Sequence, residues 1–165
     1  MDNGQHQIVV STADFDQHQV YTELVERVAG QVGAVVTFVG LVRDYRQSPE
    51  DVSAAEPNRI GVQTLTLEHY PGMTEKSIKK IVEQACERWP LLATHVIHRV
   101  GELKASEQIV MVAVASGHRG AAFAAAEFIM DYLKTDAVFW KKEQGEQGAR
   151  WIESTAEDHQ RQQQW

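Results

Sequence analysis

The sequence predicts an α+β fold: a mostly antiparallel β-sheet with helices packed on one side. Strand-like segments outnumber helical ones, and the two kinds alternate irregularly along the chain. Two strand-like segments are joined only by Gly101–Glu107, which favours an antiparallel hairpin. The 165 residues correspond to about one domain, expected at 1–155 and followed by a C-terminal tail at 156–165.

The first half of the chain predicts two strands, a helix and a loop. Gln7–Val10 is a short strand, and Asp14 or Asp16 caps the helix that follows it. The next strand, Ala34–Val42, is rich in Val, Thr and Phe. Asp44–Arg59 has no apolar periodicity, so we predict a long flexible loop, for which a role as a lid remains open.

The second half alternates strands and helices. Val62–His69 has the period of a strand, and Thr74 is predicted to cap a helix that ends at Pro90. The remaining predictions are strands at Ala93–Val100, Gln108–Ser116 and Val138–Glu143, a helix at Ala121–Leu133 and a short strand around Trp151.

Composition and charge argue against several classes of protein. The only cysteine, Cys86, excludes an internal disulfide and is expected to be a buried, inert thiol, which favours a reducing, cytoplasmic location. The net charge of -7 argues against a general nucleic-acid binder. A polar N-terminus and the absence of long apolar runs argue against a signal peptide or membrane segment.

A candidate anion site lies where a strand ends and a helix begins, at Ser116–Arg119. The free N–H groups of a helix N-terminus attract anions, Arg119 offers a bidentate fork for phosphate, and His118 exchanges protons near neutral pH. The alternative is a helix start with two solvated side chains.

Lysines and one arginine are the other candidates. Lys134 ends a helix, where the dipole alone would favour it. Lys141 shares a strand face with Phe139, and apolar surroundings would disfavour its charged form; Lys142 lies on the other face. Arg43 follows a strand, which is a common position both for ligand contacts and for surface charges.

Several kinds of site are missing from the sequence. It has no phosphate-binding glycine loop of the Walker type, no HExxH or CxxC motif, no nucleophile elbow and no carboxylate pair spaced for a metal. His98 alternates with Val96 and Val100, which favours a core or interface histidine. A lysine-based site without metal or cofactor is therefore expected.

The same segments carry a family resemblance. They are Gly33–Gly40, Leu67–Met73, His98–Leu103, Phe128–Thr135 and Phe139–Glu143. From about residue 5 to 155 the chain is similar, in order and spacing, to the large, catalytic subunit of molybdopterin synthase.

The resemblance implies an α/β hammerhead-type fold and a sulfurtransferase. It implies a homodimer within a heterotetramer, in which each large subunit binds a small ubiquitin-like sulfur-carrier subunit. The carrier's C-terminal Gly-Gly thiocarboxylate enters the active site. Two sulfurs pass to cyclic pyranopterin monophosphate and form the dithiolene of molybdopterin.

The resemblance also assigns residues. Lys134 and Lys141 are the implied catalytic lysines, and the implied substrate ligands are Arg43, His118, Arg119, Lys142 and Glu143. The sequence departs from the family at Leu41, where a basic residue is common, and loop 44–59 is longer than usual.

Two other functions remain open from the residues alone. One is a metal-free phosphoesterase with His118 as the base, which needs no protein partner. The other is a non-catalytic scaffold that docks a ubiquitin-like tail, for example along the helix Ala121–Leu133.

Overall fold

The computed structural model describes residues 4–47 and 59–165. In this part of the chain it contains two four-stranded sheets, a two-stranded hairpin and four helices. None of the described helices is long and apolar enough to cross a membrane. The α+β class and the mostly antiparallel pairing predicted from the sequence are confirmed.

The elements follow in a mixed order. They are β1 (His6–Ser11), α1 (Gln17–Arg27), β2 (Ala34–Leu41), β3 (Tyr45–Gln47), β4 (Arg59–Gly61), β5 (Thr64–His69), α2 (Met73–Arg88), β6 (Leu91–Arg99), β7 (Gly101–Lys104), β8 (Gln108–Ser116), α3 (Arg119–Thr135), β9 (Phe139–Gly145), β10 (Gly148–Ile152) and α4 (Ala156–Gln162).

The first sheet has helices on both faces, not on the single face expected. Its order is β1-β6-β8-β2, with β1 parallel to β6 and the other pairs antiparallel. Val110, Val112 and Val114 pack with α2 and α3, while Met111 and Ala113 pack with α1. The unbroken apolar run of β8 is the sequence signal of a strand covered on both sides.

The second sheet takes its strand β7 from the predicted hairpin connection. Strands β6 and β8 do pair antiparallel, as predicted. The chain leaves β6 at Gly101, whose φ of 88° is in the region that favours glycine, and β7 then pairs with β5. The order β10-β9-β5-β7 results, entirely antiparallel.

The predicted loop 44–59 has paired ends. Strands β3 and β4 form an antiparallel hairpin there, and residues 48–58 lie outside the described part of the chain. The sequence predicted no strand here because a three-residue strand shows no measurable alternation. The role of the loop as a lid stays a prediction.

One predicted helix cap is confirmed and the other is wrong. Asp16 caps α1, accepting hydrogen bonds from the backbone N–H groups of His18 and Gln19. In α2 the cap residue is Gly72, whose N–H donates to the Glu75 carboxylate at 2.6 Å. Thr74 is instead buried inside the helix, where its hydroxyl donates to the carbonyl of Val138 at 2.7 Å and so joins α2 to the start of β9.

The last ten residues, predicted to be a tail, pack on the body of the protein through α4. The Trp165 indole N–H donates to Asp131 Oδ2 at 2.8 Å. Its ring meets those of Trp89 and Phe128 edge to face, with centroids 5.7 and 5.8 Å apart. The C-terminus therefore covers the side of α3 next to the lysine that ends that helix.

Candidate active site

A cavity of about 540 Å³ lies between the two sheets and the C-terminal end of α3. Its volume is that of a typical small-ligand pocket. The charged side chains that line it are Arg43, Lys134, Lys141 and Glu143. Much of the wall is apolar, with Leu65 and Leu67 contributed by β5. Four of the seven residues singled out from the sequence thus meet in one place.

Lys141 enters the cavity from the inner face of β9. It pairs with Leu67 across the sheet and shares its face with Phe139, as the alternation predicted. Burial lowers the pKa of its ammonium, and the nearby positive charge of Lys134 lowers it further, while Asp158 opposes both. The prediction that the charged form of Lys141 is disfavoured is confirmed.

Lys134 lies beside Lys141 but has a carboxylate partner. Its Nζ donates to Asp158 Oδ1 at 3.1 Å, and its side chain is about half exposed. Burial would raise the pKa of Asp158, but hydrogen bonds from Thr155 and Lys134 lower it on balance. The two lysines therefore differ in their surroundings: Lys134 forms an ion pair with Asp158, whereas burial and a neighbouring positive charge lower the pKa of Lys141.

The two lysines also line a second cavity, of about 440 Å³. Its walls include Trp140, Ser154 and His159, none of which lines the first cavity. Lys134 and Lys141 thus stand at the junction of two openings. A group entering from one side can meet, at these lysines, a group bound on the other side.

Arg43 and Leu41 lie where β2 leaves the first sheet. Arg43 is exposed and reaches the first cavity from this edge. Leu41 is 52% exposed and also lines the cavity, so it presents an apolar surface where the family resemblance led us to expect a basic residue. Arg43 is therefore the basic group at this end of β2.

His118 and Arg119 lie at the opposite end of α3 from the lysines. His118 is the cap residue of the helix, and both side chains are exposed. At a rise of 1.5 Å per residue, the helix separates Arg119 from Lys134 by about 22 Å. Within one chain these side chains do not meet the lysines around a small ligand.

Lys142 points away from the cavity. It lies on the outer face of β9, with its Nζ 5.7 Å from the centre of the Trp151 ring. Neighbouring residues of a strand face opposite sides, and Lys142, unlike Lys141, lines neither of the two cavities. Its predicted contact with substrate stays a prediction.

His98 is a cavity residue that the sequence reasoning interpreted as a core or interface histidine. It is buried, lines the first cavity and stacks on Phe139 with centroids 3.9 Å apart. Burial lowers its pKa to about 4; a hydrogen bond to the Arg99 carbonyl opposes this, and the charge of Lys141 adds to it. Its place at the end of β6, shortly before Gly101, was the available signal.

Cys86 and possible metal ligands lie outside this arrangement. Cys86 is only partly buried, not buried as predicted. Burial, with a contribution from Glu83, still raises the pKa of its thiol to about 11, in the direction expected of an unreactive thiol. No group of three or more His, Cys, Asp or Glu side chains that could hold a metal occurs among the described residues.

Comparisons with known proteins find relatives over nearly the whole chain. The family model described as MoaE protein matches residues 10–136. A molybdopterin synthase catalytic subunit from Vibrio cholerae is 51% identical over 160 residues, which cover 97% of this chain and 98% of the relative. The Escherichia coli protein of the same name is 47% identical over 158 residues, covering 96% and 97%.

Solved structures show the same fold. The MoaE protein of Burkholderia ambifaria superposes with a TM-score of 0.77 at 42% identity, covering 97% of both chains. Molybdopterin synthase from Staphylococcus aureus gives a TM-score of 0.71 at 31% identity, covering 92% of this chain and 98% of that one. With these matches over nearly its whole length, the chain belongs to the MoaE family of molybdopterin synthase catalytic subunits, as its sequence motifs indicated.

Proposed function

We propose that sulfur transfer from a thiocarboxylated carrier subunit to cyclic pyranopterin monophosphate takes place at the junction of the two cavities. The observation that carries the proposal is that two different lysines lie side by side there. Lys134 forms an ion pair with Asp158, and Lys141 has a lowered pKa. The substrate occupies the first cavity, and the carrier's Gly-Gly tail enters through the second. The thiocarboxylate and the reacting carbon then meet between the two lysines.

The two lysines have different tasks in this proposal. Lys134 stabilises the negative charge on the carrier's thiocarboxylate and on the intermediates that form from it. Lys141, whose neutral form is more accessible, accepts and returns protons as each sulfur is added.

A second copy of the chain supplies the phosphate contacts. His118 and Arg119 are about 22 Å from Lys134 in their own chain, so they complete a site only across a homodimer. Their helix N-terminus and Arg43 are suited to a cyclic phosphate. Glu143 lines the cavity on the substrate side, where its carboxylate is placed to accept hydrogen bonds from N–H groups.

A single-turnover assay with thiocarboxylated carrier and cyclic pyranopterin monophosphate tests the proposal. Wild type should form the dithiolene product, while Lys134→Ala should form none and still bind the carrier. Lys80→Ala, an exposed lysine of α2, is the matched control and should react like wild type. Full activity of Lys134→Ala would contradict the assignment.

Mixing variants extends the same assay to the homodimer. Lys134→Ala and His118→Ala chains, inactive alone, should recover about a quarter of wild-type activity after subunit exchange, since half the dimers then hold one intact site. Wild-type activity of His118→Ala alone would place His118 outside the site, and no recovery on mixing would contradict a site shared across the dimer. Phosphate release from simple esters without carrier would support a phosphoesterase, and carrier binding without product by wild type would support a scaffold.

A further inference from the structure

The ring of His98 is fixed in one orientation at the wall of the first cavity. It stacks on Phe139 with an interplanar angle of 23°. Its Nδ1 lies 2.9 Å from the backbone carbonyl oxygen of Arg99. The ring therefore has little freedom to turn, and its second nitrogen, Nε2, has a defined position.

The contact with Arg99 also decides which nitrogen carries the proton. A carbonyl oxygen only accepts hydrogen bonds, so Nδ1 must donate. In the neutral ring Nε2 is then an acceptor with a free lone pair. Burial and the charge of Lys141 disfavour the doubly protonated ring, whose pKa falls to about 4. At neutral pH His98 therefore offers an acceptor at Nε2.

Nε2 has no hydrogen-bond partner within residues 4–47 and 59–165, yet it is not sealed in the protein. In His95, the other buried histidine of β6, both ring nitrogens are inaccessible to solvent and have no hydrogen-bond partner. The Nε2 atom of His98 is not among such sealed atoms, and the residue, only 6% exposed, lines the cavity. The ring therefore has one unpaired, unsealed nitrogen in a residue that borders the cavity.

We infer that Nε2 of His98 accepts a hydrogen bond from an N–H or O–H group of the bound pterin, and so contributes to substrate affinity. The inference rests on the proposed function, which supplies the ligand. Basic side chains predominate among the other charged groups of the cavity, and these donate to the phosphate. A pterin also carries N–H donors, which lose their partners in water on entering an apolar pocket. A fixed neutral acceptor restores one of them.

A purely structural role does not require this nitrogen. Phenylalanine would stack on Phe139 as well as histidine does, without placing an unpaired acceptor beside a ligand cavity. Nδ1 and Nε2 therefore have separable tasks. Asparagine can imitate the donor at Nδ1, and glutamine can place an amide oxygen near the position of Nε2.

The test is a titration of cyclic pyranopterin monophosphate into the complex of the chain with carrier in its unreactive carboxylate form. His98→Asn and His98→Phe should weaken binding about tenfold, the effect of leaving one buried donor unpaired. His98→Gln should recover most of the affinity. In turnover assays the KM should rise by the same factor, while kcat stays within about threefold of wild type.

The controls separate this inference from the proposed function. His95→Gln, on the opposite face of β6, should leave substrate affinity unchanged, and thermal unfolding should show that each variant is folded. Wild-type affinity in both His98→Asn and His98→Phe would overturn the inference even if wild type forms product. An equal loss in all three His98 variants would overturn it in favour of a structural role. Failure of wild type to bind substrate would overturn the inference together with the proposed function.

Discussion

The two faces of β9 carry the same kind of side chain in different surroundings. On the inner face, Lys141 lines the first cavity, and burial and Lys134 lower its pKa, while Phe139 stacks on His98. On the outer face, Trp140 is 46% exposed, and Lys142 lies over the ring of Trp151. Adjacent lysines of one strand thus lie in a cavity wall and over an aromatic ring on the opposite face.

The difference shows that the surroundings of a lysine, and not the residue type, decide how readily its ammonium group loses a proton. An ammonium over an exposed aromatic ring keeps its water and gains about 0.5–1 kcal/mol of attraction. An ammonium drawn into a partly apolar cavity loses water, and its neutral form becomes easier to reach. Three predictions test this contrast, from the largest expected effect to the smallest.

The largest effect is on catalysis. Lys141→Ala should slow product formation in the single-turnover assay at least a hundredfold, about the contribution of a positioned proton-transfer group. Lys142→Ala should stay within about threefold of wild type, because its side chain faces away from the cavity. Comparable losses in both variants would show that the outer face also contacts substrate.

The next effect is on stability in acid. It concerns His98, whose ring stacks on Phe139. The folded pKa of His98 is about 4, below the ordinary value of 6.5, so the unfolded chain binds more protons between these pH values. The contribution of His98 to the free energy of unfolding is therefore fully present above pH 6.5. About 3 kcal/mol of it is lost as the pH falls towards 4. Urea unfolding at pH 7.5 and 4.5 measures it.

The control for this prediction is His98→Gln, which has no titrating group. Between pH 7.5 and pH 4.5, the free energy of unfolding of this variant should fall by about 3 kcal/mol less than that of wild type. An equal change in wild type and variant would mean that His98 keeps an ordinary pKa in the folded chain.

The smallest effect is a gain in stability at the expense of activity. The lowered pKa of Lys141 means that its charged form is less favourable in the folded than in the unfolded chain near neutral pH. Lys141→Met keeps the apolar stem and removes the charge, so it should raise the free energy of unfolding by about 1 kcal/mol. Lys142→Met should change it by less than about 0.5 kcal/mol. If urea unfolding showed that Lys141→Met is less stable than wild type, the charged form of Lys141 would not be disfavoured in the folded chain.

Local patterns predicted much of the fold. Alternation and strand-type composition located the strands of both sheets except β7. Asp16 was identified as one of two candidate caps because a cap side chain acts on the residues next to it. Thr74 failed because its partner, the carbonyl of Val138, is distant in the sequence. The division into two sheets was missed for the same reason, since the pairing of β7 with β5 depends on contacts far apart in the chain.

The sequence by itself determined the family, the order of most elements and the opposite faces of Lys141 and Lys142, because motifs and the two-residue strand period are local properties. Only the tertiary structure decided that Lys134 pairs with Asp158, and that His98 turns an acceptor towards the same cavity. These groups come from separate elements. Their protonation depends on burial and on neighbouring charges, which exist only once both sheets and α3 have packed together.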